Sequence, residues 1–204
     1  MTGRGRRALD ATGRVLRRKG ALLSVAFLVG IALVAILAPW IIPVDPLAQD
    51  LVNTLEAPSP AHWFGTDELG RDIMVRVIYG ARTSLRTAGG AVSIAAVVGV
   101  PIGLLAGFFG GWRDALLMRV VDVMLALPAI LLAMALIAVL GRSQMAALVA
   151  VGITGIPSFA RITRAHVLSL RKRDFVTAVE AFGASSAYSM FRTVLPNSWS
   201  PILV

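Results

Sequence analysis

Residues 21 to 42 carry no charged side chain, and they follow a segment holding Arg4, Arg6, Arg7, Arg14, Arg17, Arg18 and Lys19 against one acid, Asp10. A helix needs about 20 apolar residues to cross the ~30 Å hydrocarbon layer of a bilayer. Inside that layer every backbone N–H and C=O must be satisfied by the protein itself, which a helix does within one segment. Further apolar runs cover residues 88 to 109, 115 to 140 and 145 to 160, and SWSPILV after Asn197 reads as the opening of another. The expected fold is therefore all-α: a polytopic transmembrane helical bundle with about four complete spans and the start of a fifth. A cleaved signal peptide is the competing reading of the first run. The run is too long for one, and no small-x-small cleavage site closes it before Pro39-Trp40.

Composition agrees, with 57% hydrophobic residues, 15% charged residues and a mean hydropathy of +0.78, far from the balance of a soluble domain. The net charge of +9 raises the question of nucleic acid. The basic residues flank apolar runs, however, without the aromatic interleaving of single-strand binders. They are a topology signal, and no nucleic-acid partner is expected. There is no cysteine, which excludes disulfides, thiolate metal sites and cysteine nucleophiles.

Loops rich in Lys and Arg stay on the cytoplasmic side. That rule makes residues 1–20 a cytoplasmic basic tail beside anionic lipid, residues 21–42 the first span, and residues 43–87 an extracytoplasmic loop. Up to Asp72 this loop has six acids against one basic residue, Arg71, and it carries Pro43, Pro46, Pro58 and Pro60. Gly65-Thr66-Asp67 and Leu69-Gly70-Arg71-Asp72 are turn and cap signals. Ile73, Val77 and Ile78 then give an amphipathic helix near the outer surface. His62 among these acids raises a metal site, but the next histidine is His166, across the membrane, so too few ligands meet and none is expected.

Residues 88–204 form the remaining membrane core. Gly99, Gly103, Gly107 and Gly111 recur every fourth residue, a smooth face that lets another helix approach closely. Spacing leaves open whether that helix is internal or a partner's. Pro101 is a candidate bend. Gly110 to Asp114 reads as a short inner turn with an interfacial tryptophan, Trp112. In the third span Arg119 and Asp122, three apart, read as a locally paired couple, and Pro128 as a kink. Gly141-Arg142-Ser143 is an outer turn. Gly152, Gly155 and Pro157 make the fourth span short and interrupted, either lining a path or serving as packing contacts.

Residues 161–197 hold six of the chain's twenty Lys and Arg residues and read as a cytoplasmic loop. Asp174 can cap a short helix with Phe175, Val176, Ala178, Val179 and Phe182 at helical spacing, exposing Thr177 and Glu180. Gly183 ends it as a left-handed cap. Ser185 or Ser186 can start a second short helix, with Tyr188, Met190, Phe191 and Val194, that stops at Leu195-Pro196.

This loop resembles the "EAA" loop of the membrane subunits of ABC-type importers, through Ala178, Ala181, Gly183, Ala184, Ser185, Leu195, Pro196 and Asn197. Where that family usually has a glutamate, six before the glycine, this chain has Thr177, and its only glutamate, Glu180, sits three before. The outer loop resembles that of the peptide and nickel branch, specifically the second (C-type) permease subunit of dipeptide and oligopeptide systems. Phe64, Gly65, Thr66, Asp67, Gly70, Arg71, Asp72, Gly80, Arg82, Ser84 and Leu85 carry this second match.

The resemblance implies a permease in the inner (plasma) membrane that forms part of a translocation pathway for dipeptides or oligopeptides. It implies a second homologous permease subunit, two cytoplasmic ATPase subunits that grip the coupling helix, and an extracytoplasmic substrate-binding protein. The chain has no phosphate-cradling Gly-x-x-x-x-Gly-Lys-Ser/Thr, no Gly-x-Ser-x-Gly elbow and no His-Glu-x-x-His. No enzyme activity and no cofactor of its own are expected, ATP being bound by the partners. Because the family usually has six spans, the last two are expected to be absent here. The alternative reading is thus a truncated, non-transporting membrane protein or scaffold. A passive channel is weaker still, since no filter sequence is visible.

Overall fold

A computed structural model of the chain describes residues 19–202. The basic tail expected over residues 1–20 falls, except for its last two residues, outside the described residues. All regular structure among the described residues is helical, apart from one isolated antiparallel bridge between Thr66 and Asp72. The chain is a multi-pass helical membrane protein, with helices long and apolar enough to cross a bilayer at Leu22–Ile41, Ile73–Phe109 and Gln144–Arg171. A fourth crossing is available if the bent pair Gly111–Ala126 and Ala129–Leu140 is one span.

Two compact units divide at Arg86 and Thr87. In the first, α1 (Lys19–Ile41) is apolar on nearly all sides and exposes Leu23, Phe27 and Leu28, as a lipid-facing helix does. The loop after it runs without helix to Asp72, whose Oδ1 accepts the Val75 N–H at 3.0 Å and so caps α2 (Ile73–Phe109). The Tyr79 hydroxyl donates to the Ile42 carbonyl at 2.9 Å, tying the start of α2 to the end of α1.

The amphipathic helix and the second span, read separately from sequence, are one helix of 37 residues. At 1.5 Å per residue it is about 55 Å long and outreaches the hydrocarbon layer. The polar interval around Arg82, Arg86 and Gly89-Gly90 contains neither proline nor cap, so nothing ends the hydrogen-bond ladder there. Pro101 lies within α2 without ending it.

In the second unit α2 turns at Gly110 into α3 (Gly111–Ala126), so the expected turn through Asp114 is confined to one residue. The third span is not one kinked helix. At Leu127, which is extended, and Pro128 it bends by 90° into α4 (Ala129–Leu140), because proline's ring excludes its predecessor from helical geometry. After Gly141 (φ +90°) the Ser143 side chain accepts from the Ala146 N–H at 3.0 Å and opens α5 (Gln144–Arg171).

That helix of 28 residues is neither short nor interrupted. Its glycines are packing contacts. A β-carbon on Gly152 would lie 2.8 Å from that of Ile94, and one on Gly155 would lie 2.9 Å from that of Ala95.

The glycine face of α2 meets α5 in turn. A β-carbon on Gly99 would come within 2.7 Å of the Ile156 carbonyl oxygen and one on Gly107 within 2.9 Å of Arg164's, while one on Gly103 would strike the Ala160 carbonyl oxygen. The helix met by this face is therefore internal. Gly111 does not belong to the face. It has φ +58°, starts α3, and a β-carbon there would meet nothing within 4 Å, because the break at Gly110 takes it out of register. Close packing of this kind is what drives helix association in lipid, where water exclusion contributes nothing.

The chain ends its described part with α6 (Asp174–Ala181), α7 (Ser186–Tyr188), a π-helical stretch (Ser189–Val194) and α8 (Leu195–Ile202).

Candidate functional site

The segment that stands apart from the spans is α6. Arg173, not Asp174, occupies its N-cap position, with extended backbone and no side-chain cap; Asp174 is the first helical residue, where its charge still favours the helix N-terminus. At the other end the Gly183 N–H donates to the Glu180 carbonyl at 3.0 Å and the Ala184 N–H to Val179's at 3.3 Å. This paired closure requires a left-handed residue between helix and exit, which Gly183 supplies at φ +85°.

Of the apolar side chains expected to line one face, only Val176 is fully buried. Phe175 is exposed and Phe182 is 92% exposed, and Asp174, Thr177, Ala178, Glu180 and Ala181 are also exposed. Val176 enters a cluster with Leu104 and Phe108 of α2, Val167 and Leu170 of α5, and Met190 and Val194 of the π-helical stretch. The helix thus presents an open surface and is fastened through one side chain to two spans.

The second short helix begins as expected, with the Ser185 hydroxyl accepting from the Tyr188 N–H at 3.3 Å. It does not stop at Leu195-Pro196. Between Ser189 and Val194 the helix widens to a π pattern, the Leu195 N–H reaching back to the Met190 carbonyl. It then continues through Pro196 as α8. The missing proline N–H and the widened turn disturb the regular carbonyl pairing. Side chains assist there: the Asn197 amide donates to the Thr193 carbonyl at 2.6 Å, and the Ser198 hydroxyl to Val194's at 2.9 Å.

Two ion pairs join α3 to α5. Arg164 grips Asp114 with both carboxylate oxygens engaged, Nε to Oδ1 at 2.5 Å and Nη2 to Oδ2 at 2.6 Å. Arg161 Nη2 lies 2.7 Å from Asp122 Oδ1. The Arg119–Asp122 couple expected from spacing is therefore replaced by a pair across helices, since α5 brings a guanidinium to that carboxylate. Sequence reasoning read Arg161 and Arg164 only as topology markers. The available signal was two acids eight apart on one helix and two arginines three apart on another, each pair on one helical face.

In the outer-loop motif the polar groups satisfy one another. The Thr66 hydroxyl donates to the Asn53 carbonyl at 2.6 Å and accepts from the Glu56 N–H at 2.9 Å. Asp67 accepts the N–H groups of Leu69 and Arg71 at 2.9 and 3.0 Å and the Arg71 Nε at 2.8 Å, and Arg76 also reaches it. Burial pushes the Asp67 carboxyl up, but those N–H groups and the Arg71 guanidinium outweigh it and hold the group at about 2. Asp72 is opposed by burial and lowered by the Val75 N–H and by His62, whose Nδ1 lies 2.9 Å from Asp72 Oδ2.

Gly70, at φ +69°, has the Asp50 carbonyl where a side chain would be. Phe64 is exposed, Gly65 and Gly70 are buried, and a β-carbon on Gly80 would meet nothing within 4 Å. Arg82 lines a small cleft with Ala35, Ile36, Trp40, Leu85 and Arg86. Among the described residues no group of three His, Asp or Glu side chains is placed to hold a metal ion.

Residues 99–204 match the sequence profile of the family described as binding-protein-dependent transport system inner membrane component. Residues 8–58 match that of the N-terminal TM domain of oligopeptide transport permease C. The chain is 41% identical over 195 residues to the dipeptide transport system permease protein DppC of Alkalihalophilus pseudofirmus, covering 96% of this chain and 64% of the relative.

It is 42% identical over 192 residues to the di/tripeptide transport system permease protein DppC of Pseudomonas aeruginosa, covering 91% and 63%. It is 43% identical over 192 residues to the glutathione transport system permease protein GsiD of Escherichia coli, covering 94% and 63%. The chain therefore spans less than two thirds of the length of these relatives. The first profile takes in half of the chain, including α5, α6 and the π-helical stretch, and on that match the protein belongs to the family of binding-protein-dependent transport system inner membrane components.

Proposed function

We propose that this chain is one permease subunit of an ABC importer, forming part of the translocation pathway for dipeptides or oligopeptides, with α6 as its coupling helix. The single observation that carries this reading is the fastening of an otherwise exposed helix, through Val176, to α2, α5 and the π-helical stretch. In this reading residues 161–197 and the N-terminus are cytoplasmic, the loop over residues 43–72 is extracytoplasmic, and a second permease completes the pathway. Two ATPase subunits bind and hydrolyse ATP, and a substrate-binding protein delivers the peptide from outside.

Closure of the ATPases on nucleotide would displace α6. Because Val176 is packed among Leu104, Phe108, Val167 and Leu170, the displacement reaches α2 and α5 together. Their glycine contacts are too close for either helix to move far alone. With Thr177 in place of the family's usual glutamate, docking rests on the exposed Phe175, Ala178, Ala181 and Phe182 and on the charge of Arg171, Lys172 and Arg173. The relatives named for dipeptide, di/tripeptide and glutathione transport support small peptides as the substrate class.

Co-purification tests the docking role. With the chain expressed beside its partner subunits, a variant carrying Ala181→Trp and Gly183→Val is expected to lose most of the ATPase from the purified complex while keeping the second permease. Retention of the ATPase at the unmodified level would contradict the reading.

A further inference from the structure

The corner between α2 and α3 opens onto a groove of about 310 Å³ lined by Leu105, Phe109, Trp112, Arg113, Leu116 and Leu117. Its walls are apolar apart from one guanidinium. Trp112 is 71% exposed, and Leu116, Val120 and Val123, at helical spacing along α3, are exposed as well. The groove therefore continues the exposed apolar side of α3.

Arg113 is held at the groove's rim by aromatic faces, its guanidinium carbon 4.6 Å from the Phe109 ring centre and 5.8 Å from that of Trp112. Its neighbour Asp114 pairs with Arg164 through both oxygens and not with Arg113. A second cation stands at the same corner. Arg171 stacks 5.4 Å from the Phe108 ring, and its guanidinium lies 4.0 Å from where a β-carbon would stand on Gly110. Among the described residues neither Arg113 nor Arg171 forms an ion pair.

We propose that this groove is a binding site for an acidic phospholipid, an acyl chain lying along Leu105, Phe109, Leu116 and Leu117 and the phosphate meeting Arg113. The chemistry of the rim argues for lipid over a hydrophobic partner helix. Tryptophan concentrates at the level of the headgroups, and an arginine stacked on aromatic rings keeps its charge there while its stem covers apolar surface. An apolar groove with an unpaired guanidinium at its rim complements one molecule that is both hydrocarbon and anion. The inference rests on membrane residence and not on the coupling role of α6.

Native mass spectrometry of the full chain from micelles holding equal phosphatidylglycerol and phosphatidylcholine tests it. The unmodified chain is expected to retain phosphatidylglycerol in clear preference. Arg113→Gln should lower the ratio of the two lipids about five-fold, the size of one arginine's attraction to an acidic surface, and Arg113→Lys should keep most of it. The ratio is read within one sample, so a loosened fold that sheds both lipids does not imitate the effect. No preference in the unmodified chain, an unchanged ratio in Arg113→Gln, or a lipid-free dimer would each overturn the proposal.

Discussion

Asp67 accepts more hydrogen bonds than any other carboxylate described, and its acidity follows from them. Its value of about 2 lies below the ordinary 3.8, so the folded loop prefers the charged form. The stabilisation is complete above pH 4, is lost as the pH falls through the folded value, and is gone below about 2. Fluorescence of Trp63, in a chain whose Trp40, Trp112 and Trp199 are replaced by Phe, should report loosening of the loop between pH 4 and 2. Asp67→Asn should weaken the loop already at pH 7 and flatten the change in that window. Some slope remains, since Asp72 is also depressed. An unaltered slope would show that Asp67 does not hold the turn.

At this scale the sequence was readable where chemistry is local. Turn glycines, the Asp72 cap and the Gly183 exit follow from residue type and spacing alone. The fourth glycine of the α2 face was misplaced because register survives only while a helix is unbroken. The partners of Asp114 and Asp122 lie dozens of positions away, and no local pattern names them.

Among the elements, α6 depends most on one residue. Gly183 closes both terminal hydrogen bonds with φ +85°, a region that costs a residue with a β-carbon about 1–2 kcal/mol. Gly183→Val is expected to raise hydrogen exchange at the amides of Phe182, Gly183 and Ala184 by about five- to thirty-fold at constant pH, leaving the α5 amides unchanged. Equal protection in the variant would mean that the helix is held from outside and not by its own cap.

Of the four apolar runs, three lie in helices long and apolar enough to cross a bilayer and the third in chain order is a pair bent by 90°; hydrocarbon length explains why the three were legible. Three features were not. The polar interval, Pro128 and Leu195-Pro196 were each marked in the sequence, but not that α2 would run unbroken through the first, that the chain would bend by 90° at the second, or that a π-helical turn would carry it through the third.

At the scale of the molecule, packing runs from the exposed surface of α6, through Val176, into α2 and α5 with their interlocked glycines. Sequence showed the helix and its family resemblance but not the path, because Val176 is indistinguishable in type from Val179 and Phe182, and only packing separates the buried anchor from the half-buried Val179 and the exposed Phe182.

The most direct measurement is peptide uptake per ATP hydrolysed by the complete transporter reconstituted in vesicles with Val176→Ala in this chain. Removing two buried carbons weakens the anchor by about 2 kcal/mol while leaving the exposed face of α6 intact. The expected result is an ATPase that still binds and hydrolyses ATP, with uptake per ATP reduced several-fold. Unchanged uptake per ATP in that variant would contradict the account.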